Sequence, residues 1–446
     1  MLAAGCIFIE QEPSSMSLPM GKLISVTPVI PQNAGARKLA LGGMLACLVA
    51  PNSVLVLLYG LTGSSGNSLV TGLFLATATA AVGLLCFRRD IVLLPADYLF
   101  FALVLCFLSS SAFNGWTSNA KEYELTVLSL AAYPACRFIS RADLAGGRGA
   151  FIWATGIIVA LGSVATAAAL WQQWNDEHGK PYVFGFDAAG TYFLGSLCFL
   201  VIALVTSGGL TWRRTAIVSS LVFLPTAIFA ASLVRFTFIA LAGSLCLAAI
   251  LSEARQRKHV VVIAFVLLAA IAAGLLARYD QARRFADYAI ERSPGEIGLE
   301  KPPSCYLTVN LRNSIAIRKV LVQDALFLIP RSGWVGTGLD SFMNFSCIKL
   351  TEVHNSVLQA AVEFGWLGGS LLLALIVVAA GSLVPLARHD DATRFVLCGL
   401  ALVVLLSCAH GRISRDGILF ALLGCAVGLK ETSRTAGPTA RSAVVA

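Results

Sequence analysis

The sequence predicts an all-α, polytopic membrane protein, and three observations carry that reading. Hydrophobic residues make up 57% of the 446 and charged residues only 13%, with a mean hydropathy of +0.79. A soluble domain of this size carries charge at about a quarter of its positions. The apolar residues come in runs long enough to cross a bilayer, which takes about 20 residues per helix. The basic residues fall between those runs, more on one side than on the other, and not in a single patch.

The first 36 residues precede the first run and are expected to be cytoplasmic. Their opening nine, Met-Leu-Ala-Ala-Gly-Cys-Ile-Phe-Ile, are apolar but too short to span and lack a basic n-region, so no signal peptide is read there. Met16 and Met20 are alternative starts. About twelve spans follow, near 38–59, 67–87, 91–113, 123–139, 150–171, 190–209, 215–234, 236–252, 259–277, 356–386, 393–410 and 415–430. Pro51, Pro95, Pro134 and Pro225 fall within them, which membrane helices tolerate where neighbours satisfy the freed backbone. The expected division is 1–36 cytoplasmic, 37–277 spans one to nine, 278–355 a large outer loop, 356–430 spans ten to twelve, and 431–446 a small, polar cytoplasmic tail.

Charge sets the expected orientation. With the N-terminus inside, the inner segments hold eighteen Lys and Arg, whereas the opposite short segments hold five: Lys121, Lys180, Arg235, Arg412 and Arg415. Cytoplasmic loops carry that excess, so both termini are expected inside and the loop 278–355 outside. The net charge of +9 is therefore a topology signal and not a sign of nucleic-acid binding. Twelve cysteines are mostly scattered singly through apolar runs. No Cys-x-x-Cys or His/Cys cluster appears, so no metal or other cofactor is expected. Cys305 and Cys347 share the outer loop, where an oxidising compartment permits them to pair. No Walker motif or Gly-rich phosphate loop exists to drive transport by ATP.

Two outer segments stand out. Residues 172–187, with Trp171 just before them, are aromatic-rich, with Trp174, Tyr182, Phe184 and Phe186, and read first as interfacial anchors. The loop 278–353 holds two amphipathic stretches, 279–290 and 311–329, expected as short helices on the membrane surface. In the second, Arg312 and Lys319 oppose Leu321, Val322 and Leu326.

Some residues suit chemistry. Arg235 interrupts the apolar string Phe-Ala-Ala-Ser-Leu-Val-Arg-Phe-Thr-Phe at the outer end between two spans. An arginine at a helix end often only snorkels to the interface. A charge so close to lipid also tends to face a polar cavity. Arg312, Arg318 and Lys319 approach the same outer face, and planar guanidinium groups bind pyrophosphate oxygens bidentately. His354 sits where the loop re-enters an apolar run, and its ordinary pKa near neutrality suits a base. Asn355 is placed to cap the following helix. Gly365, Gly368 and Gly369 permit close packing just below.

Taken in order, Ser232-Leu-Val-Arg235, a loop with Arg312, Gly336-Thr-Gly338-Leu-Asp-Ser-Phe342, His354-Asn-Ser-Val-Leu358 and Glu363-Phe-Gly365-Trp-Leu-Gly368 resemble the O-antigen ligase and O-antigen polymerase family of bacterial inner-membrane glycosyltransferases. The resemblance covers about a third of the chain. It implies metal-independent transfer of glycan from an undecaprenyl-pyrophosphate donor, at the periplasmic face, to lipid A–core in ligases or to another lipid-linked repeat unit in polymerases. Carried across, Arg235 and Arg312 bind the pyrophosphate and His354 is the catalytic base or orients the substrates, with Asn355 and Glu363 in support. The family often has an aromatic just after its loop arginine, and Ile315-Ala-Ile-Arg-Lys stands there instead, so Arg318 is an alternative to Arg312. The rival readings are a polysaccharide or lipid transporter, which the spans alone permit, and a non-catalytic partner in envelope assembly. Transporters tend to hold ionisable residues at mid-membrane and to repeat their halves. Here the deep spans show little charge beyond Asp97, and no repeat is visible.

Overall fold

The computed structural model describes residues 34–63, 66–88, 90–115, 119–174, 180–283, 314–348 and 351–435. Their regular structure is helical, and among them the only β feature is one isolated bridge, Val183 to Phe186. The first apolar run is broken into α1 (Ala34–Val49) and α2 (Pro51–Thr62), which meet at 89°. Pro51 opens α2, where its missing N–H costs nothing. Next come α3 (Ser68–Cys86), α4 (Pro95–Asn114), α5 (Ala120–Arg137), α6 (Arg141–Gln172), α7 (Ala189–Val205), α8 (Trp212–Ala231), α9 (Phe236–Leu251) and α10 (Ala254–Ala277). The loop helix α11 (Ser314–Ser332) and the short α12 (Phe342–Phe345) lead to α13 (Ser356–Glu363), α14 (Gly365–Ala387), α15 (Asp391–His410), a 3-10 turn at Ile413–Arg415, and α16 (Gly417–Thr435).

Seven of these helices, α3, α4, α6, α8, α10, α14 and α15, are long and apolar enough to cross a membrane, and the bent α1–α2 pair makes up to eight. The protein is a multi-pass membrane protein. Every one of the twelve expected runs is helical, but length and composition support seven or eight spans rather than twelve. Two of the rest, α7 and α9, are short. The other two, α5 and α16, carry charges such as Glu122, Glu124, Lys430 and Glu431.

Helix α15 lies at the centre, with 61% of its spanning stretch buried, against 28% for the peripheral α10. Around it, Phe193 and Phe199 of α7, Leu372 and Leu375 of α14, and Phe420 and Leu423 of α16 are buried in one continuous core. At one end of the bundle the charges pair. Arg137 donates to Asp97 at 2.9 and 3.1 Å and to Glu431 at 2.6 Å, while Tyr133 also donates to Asp97 at 2.9 Å. Removing one partner of such a buried set strands the others. Helix α16 runs on to Thr435, with Glu431 drawn against α5.

The segment expected as an outer loop adds a packing contact that its pattern did not suggest. Helix α11 packs part of its apolar face on protein. Leu321 and Ala325 are fully buried in a small cluster with Phe342, Val353 and Val362. Of the other amphipathic stretch, 279–283 continue as helix and the remainder lies outside the described residues, as do Arg312 and Cys305. Cys347 is disulfide-bonded.

Candidate active site

The scaffold of the site is an interlock between two glycine loops. The apolar run expected as one span from 356 breaks after Glu363, because Gly365 takes a left-handed φ of +82°. Gly336, at +81°, packs directly on that break. A Cβ on Gly336 would collide with the Glu363 carbonyl and the Gly365 amide, and one on Gly365 with the Trp334 carbonyl. The backbones then join: Thr337 N donates to Val362 O at 3.0 Å, Gly338 N to Glu363 O at 3.0 Å and Trp366 N to Gly333 O at 3.3 Å. Ser110 of α4 donates to the same Glu363 carbonyl at 2.6 Å. The Glu363 carboxylate is buried and accepts from Gln359 at 3.1 Å and from Phe342 N at 3.4 Å. It braces this junction from inside.

His354 is presented by a segment fixed on both sides. Before it, Glu352 pairs closely with Arg412, and Val353 is buried. Arg412 also holds Asp340 and Glu122, each at 3.0 Å, so one guanidinium gathers three carboxylates from distant segments. Burial pushes the Glu352 carboxyl up to about 7, against the pull of Arg412. After it, Asn355 caps α13, accepting from Val357 N and Leu358 N at 3.1 Å each and donating to Cys408 O at 3.3 Å. Ser356 bonds to Asp416. Between these anchors His354 stands at φ +56°, half-buried, and among the described residues no hydrogen bond holds its ring.

The four non-glycine residues at positive φ among those described, Phe184, Leu233, Asp340 and His354, all lie in loops at this end. Each costs of order 1–3 kcal/mol, strain that persists only where surroundings enforce it and that clusters at functional sites. Leu233 sits two residues before Arg235, which starts α9 and is exposed.

Cations collect around the imidazole. Burial, then the charges of Arg318 and Arg412, lower the pKa of His354, which favours the neutral ring, the form that can accept a proton. Arg318, on α11, places Nη2 3.3 Å from Nδ1 of His410, the last residue of α15. His410 stacks edge-on against Phe236, next to Arg235, with centroids 5.8 Å apart. Arg235 is exposed at its surface yet partly enclosed by neighbours, and that partial desolvation lowers its pKa, while burial followed by the charge of Arg235 lowers that of Arg318. Lys180, from the aromatic loop, is lowered by burial and then by Arg318, with Arg235 a smaller cause. Arg235, Arg318, His354, His410 and Lys180 thus share one end of the bundle, with Arg318 and His410 lying between Arg235 and His354.

Of the expected site residues, Arg235, Arg318 and His354 come to this cluster, Asn355 and Glu363 hold its frame, and Arg312 lies outside the described residues. Sequence reasoning missed Lys180, His410 and Arg412 as members. The visible signal was the polar string His410-Gly-Arg-Ile-Ser-Arg415 between two apolar runs. The aromatic loop is partly scaffold. Its Val183–Phe186 turn is gripped by Gln173, which exchanges two hydrogen bonds with Tyr182 at 2.8 and 2.9 Å, and Phe186 stacks on Tyr59. Among the described residues no group of three or more His, Cys, Asp and Glu is placed to hold a metal ion.

This arrangement suits acid–base chemistry beside an anion. A neutral imidazole can take a proton while nearby guanidinium groups stabilise negative charge on a leaving group. No curated protein matches the chain significantly. Residues 220–373, which run from α8 through the loop helices into α14, match the family model described as O-Antigen ligase. That match spans Arg235, Arg318, His354 and both glycine loops, and it supports the resemblance to the O-antigen ligase and polymerase family over this third of the chain.

Proposed function

We propose that the protein is a glycosyltransferase that moves O-antigen or a related polysaccharide from an undecaprenyl-pyrophosphate donor to an acceptor hydroxyl. The acceptor is lipid A–core in a ligase reaction, or a second lipid-linked repeat unit in a polymerase reaction. The observation that carries this reading is a histidine lowered in pKa beside Arg318, in a cluster with Arg235 and Lys180. In the reaction, the acceptor oxygen bonds to the anomeric carbon of the donor sugar as the bond from that carbon to the pyrophosphate oxygen breaks. The hydroxyl proton passes to the His354 imidazole, and undecaprenyl pyrophosphate leaves with its charge held by Arg235 and Arg318, or by Arg312 from the same loop. Arginine suits this role because its fork matches two phosphate oxygens at once.

The charge asymmetry of the sequence supports an inner-membrane protein with both termini cytoplasmic and this cluster in the periplasm. The reaction needs no metal in this scheme, since the arginines supply the positive charge. Purified protein given undecaprenyl-pyrophosphate glycan and acceptor is expected to form product in the presence of chelator. Loss of turnover on chelation contradicts the metal-free scheme. Glycan analysis of a deletion strain separates the two acceptors: uncapped core indicates a ligase, and core bearing a single repeat indicates a polymerase.

A further inference from the structure

A second cationic recess lies at the opposite end of the bundle. Helices α8 and α10 pack side by side and run parallel, since their first residues meet here while Arg278, just past α10, donates to Ala231 at the end of α8. The N-terminal ends of α8 and α10 are tied to the start of α15. Gly208 N donates to Asp391 at 2.6 Å, and Arg394 donates to Gln256 at 3.2 Å. His354 and its cluster lie at the far end of α15, about 30 Å away for a helix of that length.

The recess has a volume of about 450 Å3 and is lined by Thr211, Trp212, Ala254, Arg255, Lys258 and His259, with Leu210 beside them. Arg255 and Lys258 are exposed, stand one turn apart, and among the described residues make no ion pair. Glu253 is near in sequence but does not line the recess. The opposite wall is held in place: Trp212 packs edge-on against His259 with centroids 4.7 Å apart, and His259 Nδ1 bonds to Thr215 at 2.8 Å. The pattern then continues along one helix. On α10, Arg255 and Lys258 are followed on one stripe by exposed Val261, Phe265 and Leu268.

A cationic head leading into an apolar stripe matches a molecule with an anionic head and alkyl chains. We propose that the recess binds the phosphate headgroup of an anionic membrane phospholipid, with Arg255 and Lys258 on the phosphate and the acyl chains along α10. Trp212 supplies the amphipathic ring that favours the headgroup level. The assignment is independent of the chemistry at the other end. It also differs from a general attraction to anionic lipid, because it specifies two cations.

Native mass spectrometry of the purified protein with phosphatidylglycerol tests it. Arg255→Gln/Lys258→Gln is expected to weaken phosphatidylglycerol binding about thirtyfold, given about 1 kcal/mol for each of the two basic groups near an anionic lipid. Arg388→Gln/Arg434→Gln, which removes two exposed charges at the same end away from the recess, is expected to leave binding unchanged. Phosphatidylcholine is expected to bind wild type and double variant alike, and excess inorganic phosphate, lacking acyl chains, to leave the adduct in place. Wild-type-like binding by the double variant, or an equal loss in the control variant, overturns the proposal. Displacement by inorganic phosphate overturns it too, by assigning the recess to a free anion. If the double variant fails to fold, Lys258→Gln alone is read the same way, with unchanged binding as the contradicting result.

Discussion

The guanidinium of Arg318 stands 3.3 Å from Nδ1 of His410, which ties the loop helix α11 to the end of the central helix α15. Burial first, and then the same guanidinium, lowers the pKa of His354, so Arg318 both ties these helices together and adds to the bias toward a neutral imidazole.

Removing that charge is expected to act twice. Arg318→Gln loses a donor to the leaving pyrophosphate, which costs on the order of 10²-fold in turnover. It also lets the His354 pKa rise toward the ordinary histidine value, because a neighbouring cation disfavours imidazolium. The pH profile of kcat/KM is therefore expected to keep its shape while its acid limb moves to higher pH. An unmoved limb would show that Arg318 does not act on the titrating base.

Arg412 carries a structural role that His354 does not. Arg412→Ala leaves Glu122, Asp340 and Glu352 facing one another without their shared cation. A loss of about 3–5 kcal/mol is expected, as for other broken buried pairs. Thermal unfolding in detergent is expected to show a large drop in Tm for Arg412→Ala and little change for His354→Ala. Similar Tm values for the two contradict the bracing role.

Stability also depends on pH through Glu352. Its carboxyl is raised from 4.5 to about 7 in the folded protein, so the folded state binds the proton more tightly than the unfolded chain. Its contribution is fully present below about pH 4.5 and is lost as pH rises through about 7. Glu352→Gln, which cannot ionise, is expected to flatten the Tm–pH curve in that window. A slope as steep as that of wild type places the titration elsewhere.

The interlocked glycines give a fourth test. Gly336→Ala adds a Cβ at φ +81° against the Glu363 carbonyl and is expected to destabilise by more than about 1 kcal/mol. Asn355→Ala removes a helix cap and is expected to cost about 1 kcal/mol, whereas Asn355→Asp keeps the acceptor and costs little. Equal unfolding midpoints for all three contradict the frame described for His354.

The sequence made the apolar runs legible, because hydrophobic length is a local property, and each expected run is a helix. Arg235, Arg318 and His354 were legible as charges set against lipid, and they do meet at one end. What stayed hidden depends on contacts between distant segments. The break before Gly365 comes from a left-handed turn packed on Gly336. The pairing of Arg412 joins Glu122, Asp340 and Glu352 from three separate segments. Helix α11 has the pattern of a membrane-surface helix, yet Phe342, Val353 and Val362 offer part of its apolar face a protein partner. Lys180 reaches the cluster only because Gln173 fixes the loop that carries it.

The most direct test of the central claim is glycan transfer from an undecaprenyl-pyrophosphate donor by purified His354→Ala, beside wild type and Arg235→Lys, with chelator present. General-base catalysis contributes about 10²–10⁴-fold, and a loss of that size is expected for His354→Ala, with Arg235→Lys also severely impaired because the bidentate fork is gone. The Tm of both variants is expected to match wild type. Normal turnover by folded His354→Ala would contradict the assignment of this end of the bundle as the catalytic site.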